Sequence, residues 1–245
     1  MDRFDGCEGT AFGRRPTGTV PDPVKDLVQD QLHGLVSART FPCLGARSAL
    51  ASGNYLFNVY EDMESADSLL ALAEDLRHFA GVRLGMGDFY THVAAFLEPR
   101  MIQDESVWER QLWGLLQRLH DIDESPWDDR FSTDPTSPEF ALSFAGLGHL
   151  VVTLYPGANR FARRFAWPTL VFNPLEQDRA KFPEDEALLR FQGRIRARDA
   201  RLQGEVNPAL PKTLDDPQAP GFSGAPVTSD WRCPLRVRAN PPEKP

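Results

Sequence analysis

The sequence predicts an α+β fold: a mixed or antiparallel sheet packed with helices, in a single domain that ends in a proline-rich tail. Three observations carry this. The chain has 245 residues, 41% hydrophobic and 25% charged, which is enough to build a sizeable core. Helical and strand-like runs are interleaved, but not as regular strand–helix–strand units, which argues against a doubly wound parallel sheet. The last 41 residues hold nine of the 21 prolines, so this stretch is read as a tail lying on the domain or a disordered end. The expected divisions are a loose lead-in over 1–23, the domain over 24–210 and the tail over 211–245.

In chain order, Val24, Leu27, Val28, Leu32 and Leu35 recur at helical spacing and predict a helix over 24–37, with Asp22 as its N-cap. Phe41-Pro42-Cys43 follows; proline biases Phe41 to an extended conformation, and a short helix is expected over 44–51. Residues 55–60 read as a strand. Ser65 is a suitable N-cap for a helix over 65–79, with Leu69, Leu72, Ala73 and Leu76 as its buried stripe. Residues 91–97 read as a second strand. The segment 105–120 has the broadest apolar face, through Trp108, Leu112, Leu115, Leu116 and Leu119. A loop rich in Asp, Ser and Pro covers 123–138. Two strands, 140–144 and 149–155, flank Ala145-Gly146-Leu147-Gly148 as a hairpin. Residues 169–172 form a short strand and 184–202 a charged helix.

Net charge is −8, which argues against broad nucleic-acid binding and against docking on anionic lipid. Cys7, Cys43 and Cys233 are odd in number and far apart, so no disulfide framework is expected. No signal-peptide or membrane-spanning pattern is visible, so the cytoplasm is the expected compartment. No phosphate loop, dinucleotide fingerprint, nucleophile elbow or zinc-ligand spacing occurs. Of 27 basic residues, 23 are arginine. Nine of them fall between Arg160 and Arg201, where six acids and one lysine leave a local charge of +4. Such a region suits small carboxylates.

Several residues stand out chemically. Cys43 follows a proline at a helix N-terminus, where amides and the helix dipole stabilise a thiolate; the alternative is a buried structural cysteine. His120 ends the long helix beside Asp121 and Asp123, as a metal ligand or acid–base group, or simply as a favourable C-terminal residue. Asp123 and Asp128 lie in a carboxylate-rich loop that can pair a guanidinium or cap turns. His149 and Tyr155 share a strand face with Val151 and Thr153, lining a pocket or filling a core. Arg160, Arg163 and Arg164 form the densest basic segment, a carboxylate clamp or a solvated turn.

Several motifs resemble the YqcI/YcgG family. They are Phe41-Pro42-Cys43-Leu44-Gly45-Ala46, Leu116-Gln117-Arg118-Leu119-His120-Asp121-Ile122-Asp123, and Tyr155-Pro156-Gly157-Ala158-Asn159-Arg160 with its continuation to Phe165. Leu170-Val171-Phe172-Asn173-Pro174, Ile195-Arg196-Ala197-Arg198-Asp199, Leu202-Gln203-Gly204 and Asn207-Pro208 complete the set. The resemblance implies haem chemistry, as in the haem-dependent guanidine N-hydroxylases of guanitoxin and D-cycloserine biosynthesis. By that resemblance the chain is expected to be a monooxygenase that binds haem b and N-hydroxylates a guanidine or amine nitrogen of a small amino-acid-derived substrate such as arginine. Dioxygen or peroxide, an electron donor and a homodimer are the expected partners, without nucleic acid or membrane. Cys43 is the expected axial ligand and His120 the next, with Tyr155 or His149 as further choices. Arg160, Arg163 and Arg164 would hold propionates or a substrate carboxylate, and Asp123 or Asp128 would pair the cationic group. The alternatives are a non-catalytic haem-binding or sensor protein, or a haem-free small-molecule enzyme. The chain departs from the family pattern where relatives usually carry histidines at the positions of Tyr155 and Leu175, and an aromatic at Asp178.

Overall fold

The computed structural model describes residues 20–97, 104–225, 228 and 230–238. Cys7 and most of the lead-in lie outside them. Helices α1 (Asp22–Ser37) and α2 (Leu44–Ala51) precede strand β1 (Tyr55–Tyr60). Then come α3 (Ala66–Val82), β2 (Thr91–Phe96), α4 (Glu105–Ile122), β3 (Leu142–Phe144), β4 (Leu147–Leu154), β5 (Thr169–Pro174), α5 (Glu176–Lys181) and α6 (Asp185–Gln203). The five strands make one sheet in the order β1-β2-β5-β4-β3. β1 and β2 run parallel and the other pairs antiparallel, so the sheet is mixed and the fold α+β.

Side-chain alternation divides the sheet into two buried faces. On one, Ala94, Phe96, Val151, Leu170 and Phe172 pack against α3 and α4 through Leu72, Leu76, Trp108, Leu112 and Leu116. On the other, Val59, Val93, Ala95 and Leu154 meet Val28, Leu32 and Val36 of α1, and Phe41. α6 lies over this second face, but only Leu188 and Asp199 of its 19 residues are fully buried.

Local chemistry explains the element ends. Ser65 caps α3, its side chain accepting a hydrogen bond from the Ser68 amide. Ser65→Ala is expected to cost about 1 kcal/mol, read as a lower urea midpoint at unchanged m-value. The expected Asp22 cap is corrected: Pro21 is the N-cap of α1 and Asp22 its first helical residue. Pro23 suits the first turn because helix-start amides lack intrahelical partners anyway. The hairpin joins β3 to β4 through Ala145 and Gly146, with φ of 54° and 68°. Left-handed conformation at both central residues matches the twist of a two-residue hairpin, and Gly146 adopts it without steric cost.

The described part of the proline-rich tail lies on the domain. Phe222 is fully buried and stacks on Trp113 with ring centroids 5.7 Å apart. The Thr153 hydroxyl donates to the carbonyls of Phe222 and Ser223, each at 2.9 Å. Farther on, Gln117 of α4 pairs with Arg236 in both directions, at 3.1 and 2.8 Å. Side chains and backbone carbonyls of the main body therefore satisfy this segment, which builds no strand or α-helix among its described residues.

Candidate functional site

A cavity of ≈ 300 Å³ lies between the second sheet face and α6, with α2 along one side. Val93, Val152, Leu154 and Val171 form its apolar floor, and Phe191 and Ile195 of α6 its roof. Because this space separates α6 from the sheet, the helix keeps an apolar stripe that no core residue covers fully. The volume stands at the small end of ligand sites.

Cys43 is in the cavity wall as the N-cap of α2, and its Sγ accepts a hydrogen bond from the Ala46 amide at 3.4 Å. Arg198 of α6 fixes the approach to it by donating to the carbonyls of Arg39 (2.6 Å) and Phe41 (2.9 Å). Burial pushes the Cys43 thiol up, against the lowering effect of the Ala46 and Gly45 amides and of Arg163. The helix start at Cys43 agrees with the sequence expectation; in the protein alone, desolvation keeps the sulfur a thiol.

Arg160 and Arg163 both line the cavity, brought there by a 3₁₀ turn, Phe161–Arg163, between β4 and β5. Arg160 is buried and ion-paired with the buried Asp199 of α6. Arg163 differs. Its guanidinium donates to three backbone carbonyls, those of Gly221 (3.0 Å), Phe222 (3.2 Å) and Thr153 (3.4 Å), and forms no salt bridge among the described residues. Burial drops its pKa to about 10. Gly224 leaves room for it: φ there is +76°, and a Cβ would come within 2.6 Å of the Arg163 side chain. Arg164 is absent from the wall and lies over the Phe161 ring, 4.8 Å from its centroid.

The other residues singled out from sequence stand elsewhere. His120 is under the tail on the α4 side, its Nε2 accepting from the Arg238 amide at 2.9 Å. Burial and Arg238 lower its pKa. Asp123 accepts from the amides of Ser125 (3.1 Å) and Ala145 (2.8 Å), tying the loop after α4 to the hairpin. Asp128 accepts from the Gly148 amide at 2.8 Å and pairs with Arg130 at 2.7 Å. Arg130 bridges to Glu176 at 2.6 Å, and Glu176 to Arg83 at 2.6 Å. Burial opposes ionisation of Glu176, but hydrogen bonds from Arg83, Arg130 and Tyr90 outweigh it and hold the group at about 2. Tyr155 stacks on Trp108 at 4.8 Å; burial and the Glu105 carboxylate push its phenol well above the usual range. His149 is on the α3/α4 face, against Phe79 and Phe172.

Thus the structure brings Cys43, Arg160 and Arg163 together at one cavity and leaves His120, Asp123, Asp128, His149, Tyr155 and Arg164 outside it. It also adds Asp178, in the wall as part of α5, which sequence reading assigned to no element. Among the described residues no donor reaches its side chain. Burial pushes its carboxyl up to about 6. The sequence did carry a signal, since an acid stands here where the family pattern has an aromatic.

The fold is an α+β domain whose cavity has a thiol and a buried guanidinium in one largely apolar wall. A protein-family model, that of the YqcI/YcgG family, matches residues 32–236, and the chain belongs to this family. No curated protein and no solved structure matches it. No helix among the described residues is long and apolar enough to cross a membrane.

Proposed function

We propose that the protein is a haem-dependent monooxygenase that N-hydroxylates a guanidine or amine nitrogen of a small amino-acid-derived substrate, with haem b and substrate meeting at this cavity. The observation carrying the reading is Cys43: a soft donor in an apolar wall, beside Arg163, whose charge no carboxylate contacts. The donor set fits the cofactor. Cys43 would hold the iron as thiolate, and the Ala46 amide would steady the sulfur. Arg163 would face a propionate or a substrate carboxylate, while Arg160 is already neutralised by Asp199. His120 does not suit the same iron, because its Nε2 is engaged by the tail on the other side of the sheet.

Haem held by Cys43 would supply oxygen activation, which thiolate donation favours. With peroxide as oxidant, one oxygen enters the N–H bond and the other leaves as water. With dioxygen, a donor must supply two electrons and two protons. The chain itself binds and orients the substrate and excludes water through the apolar floor and roof. One observation favours a second reading, a haem-free small-molecule enzyme: the enclosed ≈ 300 Å³ suits a ligand smaller than a porphyrin.

Titration with hemin tests the first reading. A Soret band saturating at one haem per chain is expected, with the reduced carbon monoxide complex absorbing in the thiolate range. Cys43→Ala should shift that band to the range of nitrogen-ligated or unligated haem. No Soret band after loading overturns the haem reading, and a thiolate band retained in Cys43→Ala overturns the ligand. Incubating loaded protein with guanidines, reductant and dioxygen separates an enzyme, which adds one oxygen to the substrate mass, from a sensor.

A further inference from the structure

One carboxylate of the cavity wall meets no donor among the described residues. Asp178 lies in its wall, and no donor among the described residues meets the carboxylate. The other acid of the wall, Asp199, is paired with Arg160. The remaining arginines of the wall are engaged as well: Arg196 donates to the Pro211 carbonyl and Arg163 to three carbonyls.

Asp178 is partly buried, and the short helix that carries it is fastened to its surroundings. Its neighbour Gln177 pairs with the Tyr90 backbone in both directions, accepting from the amide at 2.8 Å and donating to the carbonyl at 3.1 Å. Glu176 is held by Arg83, Arg130 and Tyr90. Two adjacent side chains of one short helix are thus fastened to neighbouring elements, and the third is presented to the cavity. A partly buried carboxylate without a donor gains by meeting a cation.

We propose that Asp178 is the specificity-determining residue of the cavity, and that it pairs with a guanidinium or ammonium group on a small ligand. Arg163, in the same wall, then suits an anionic group on the ligand or cofactor, so the cavity favours molecules bearing separated charges. The inference rests on reading the cavity as the substrate site of the proposed function. It does not require the haem. If haem is present, the pairing would hold a cationic nitrogen in the same cavity as Cys43.

Calorimetric titration with agmatine, L-arginine and the neutral isostere L-citrulline tests this, on hemin-free and hemin-loaded protein. Wild type should bind the two guanidines at least about ten-fold more tightly than citrulline. Asp178→Asn should weaken guanidine binding by at least about ten-fold and leave citrulline unchanged or improved. Asp178→Glu should keep the preference for the cation. Asp178→Asn removes only an unpaired charge, and circular dichroism checks its fold, with Asp178→Leu as a second neutral variant. Equal affinity for arginine and citrulline overturns the proposal. So does guanidine binding unchanged in both neutral variants, or no guanidine binding to wild type at millimolar concentration. The Soret band reports the haem reading separately. Discrimination without a Soret band sinks haem and keeps Asp178, and a Soret band without discrimination does the reverse.

Discussion

Asp199→Ala is expected to destabilise the protein by about 3–5 kcal/mol. Asp199 and Arg160 are both buried, with side chains 8% and 4% exposed, and they join α6 to the 3₁₀ turn after β4. Glu205 contributes a weaker contact to Arg160 at 3.4 Å, from a side chain that is 73% exposed. Removing Asp199 therefore leaves a guanidinium out of water with little to balance it. Removing both charges is another matter, because two apolar side chains need no desolvated ion pair. The double variant Arg160→Met/Asp199→Leu should be more stable than Asp199→Ala alone. Urea unfolding of the two single variants and the double variant checks this. A loss within about 1 kcal/mol for Asp199→Ala would show that the pair is effectively solvated.

Lowering pH from 6.5 to 4.5 should also destabilise the protein, through two buried histidines. Burial drops the pKa of His92 to about 4 and that of His149 to about 3, from the ordinary 6.5. His92 Nε2 has a long contact of 3.4 Å to the Tyr60 hydroxyl. Its Nδ1 and both ring nitrogens of His149 meet no partner among the described residues. Below pH 6.5 the unfolded chain takes up protons that the folded state refuses. Stability then falls by about 1.4 kcal/mol per pH unit for each histidine, continuing towards pH 4 and 3 respectively.

Asp178 works in the opposite sense. Its folded pKa of about 6 exceeds the ordinary 3.8, so the folded state gains a proton first and stability rises between those values. Glu176 is held at about 2, so its contribution is lost only as pH falls below its ordinary 4.5. Over pH 4.5–6.5 the net slope is thus set by His92, His149 and His120, all lowered, against the raised carboxyl of Asp178. His149→Phe should flatten it, and Asp178→Asn should steepen it. Urea midpoints at closely spaced pH values read both. A wild-type midpoint constant over this range would mean that the histidines are not held neutral.

The distribution of arginine shows why sequence and site part company. The stretch from Arg160 to Arg201 reads as a basic region suited to anions. In the fold most of that charge is already engaged. Arg160 meets Asp199, Arg179 meets Asp185, Arg190 meets Glu186, and Arg196 and Arg198 hold backbone carbonyls. Arg163 alone among the cavity arginines is buried without a carboxylate. Local charge arithmetic cannot separate a guanidinium that binds a ligand from one that fastens a helix, because the partner is set by distant chain segments.

The same holds for the carboxylates and histidines. Asp123 and Asp128 look like a cation site, yet each satisfies backbone amides of the β3–β4 hairpin. His120 sits at its helix end as expected, but the tail covers it, and the tail showed no periodicity to place it. Asp178 was visible as an unusual residue, and α5 is too short, at six residues, to give a helical pattern.

By itself the sequence determined the helices other than α5, the strands, the hairpin and the family, because these depend on periodicity, caps and turn residues read over a few positions. It also placed Cys43 at a helix N-terminus, a strictly local fact. The tertiary structure decided which face of the sheet each group occupies. It put Cys43, Asp178, Arg160 and Arg163 around one cavity and His92, His120 and His149 on the other side. That choice depends on strand order and on a 3₁₀ turn that brings Arg160 to Asp199 and Arg163 to Phe222, 39 and 59 residues away in sequence, which no local pattern encodes.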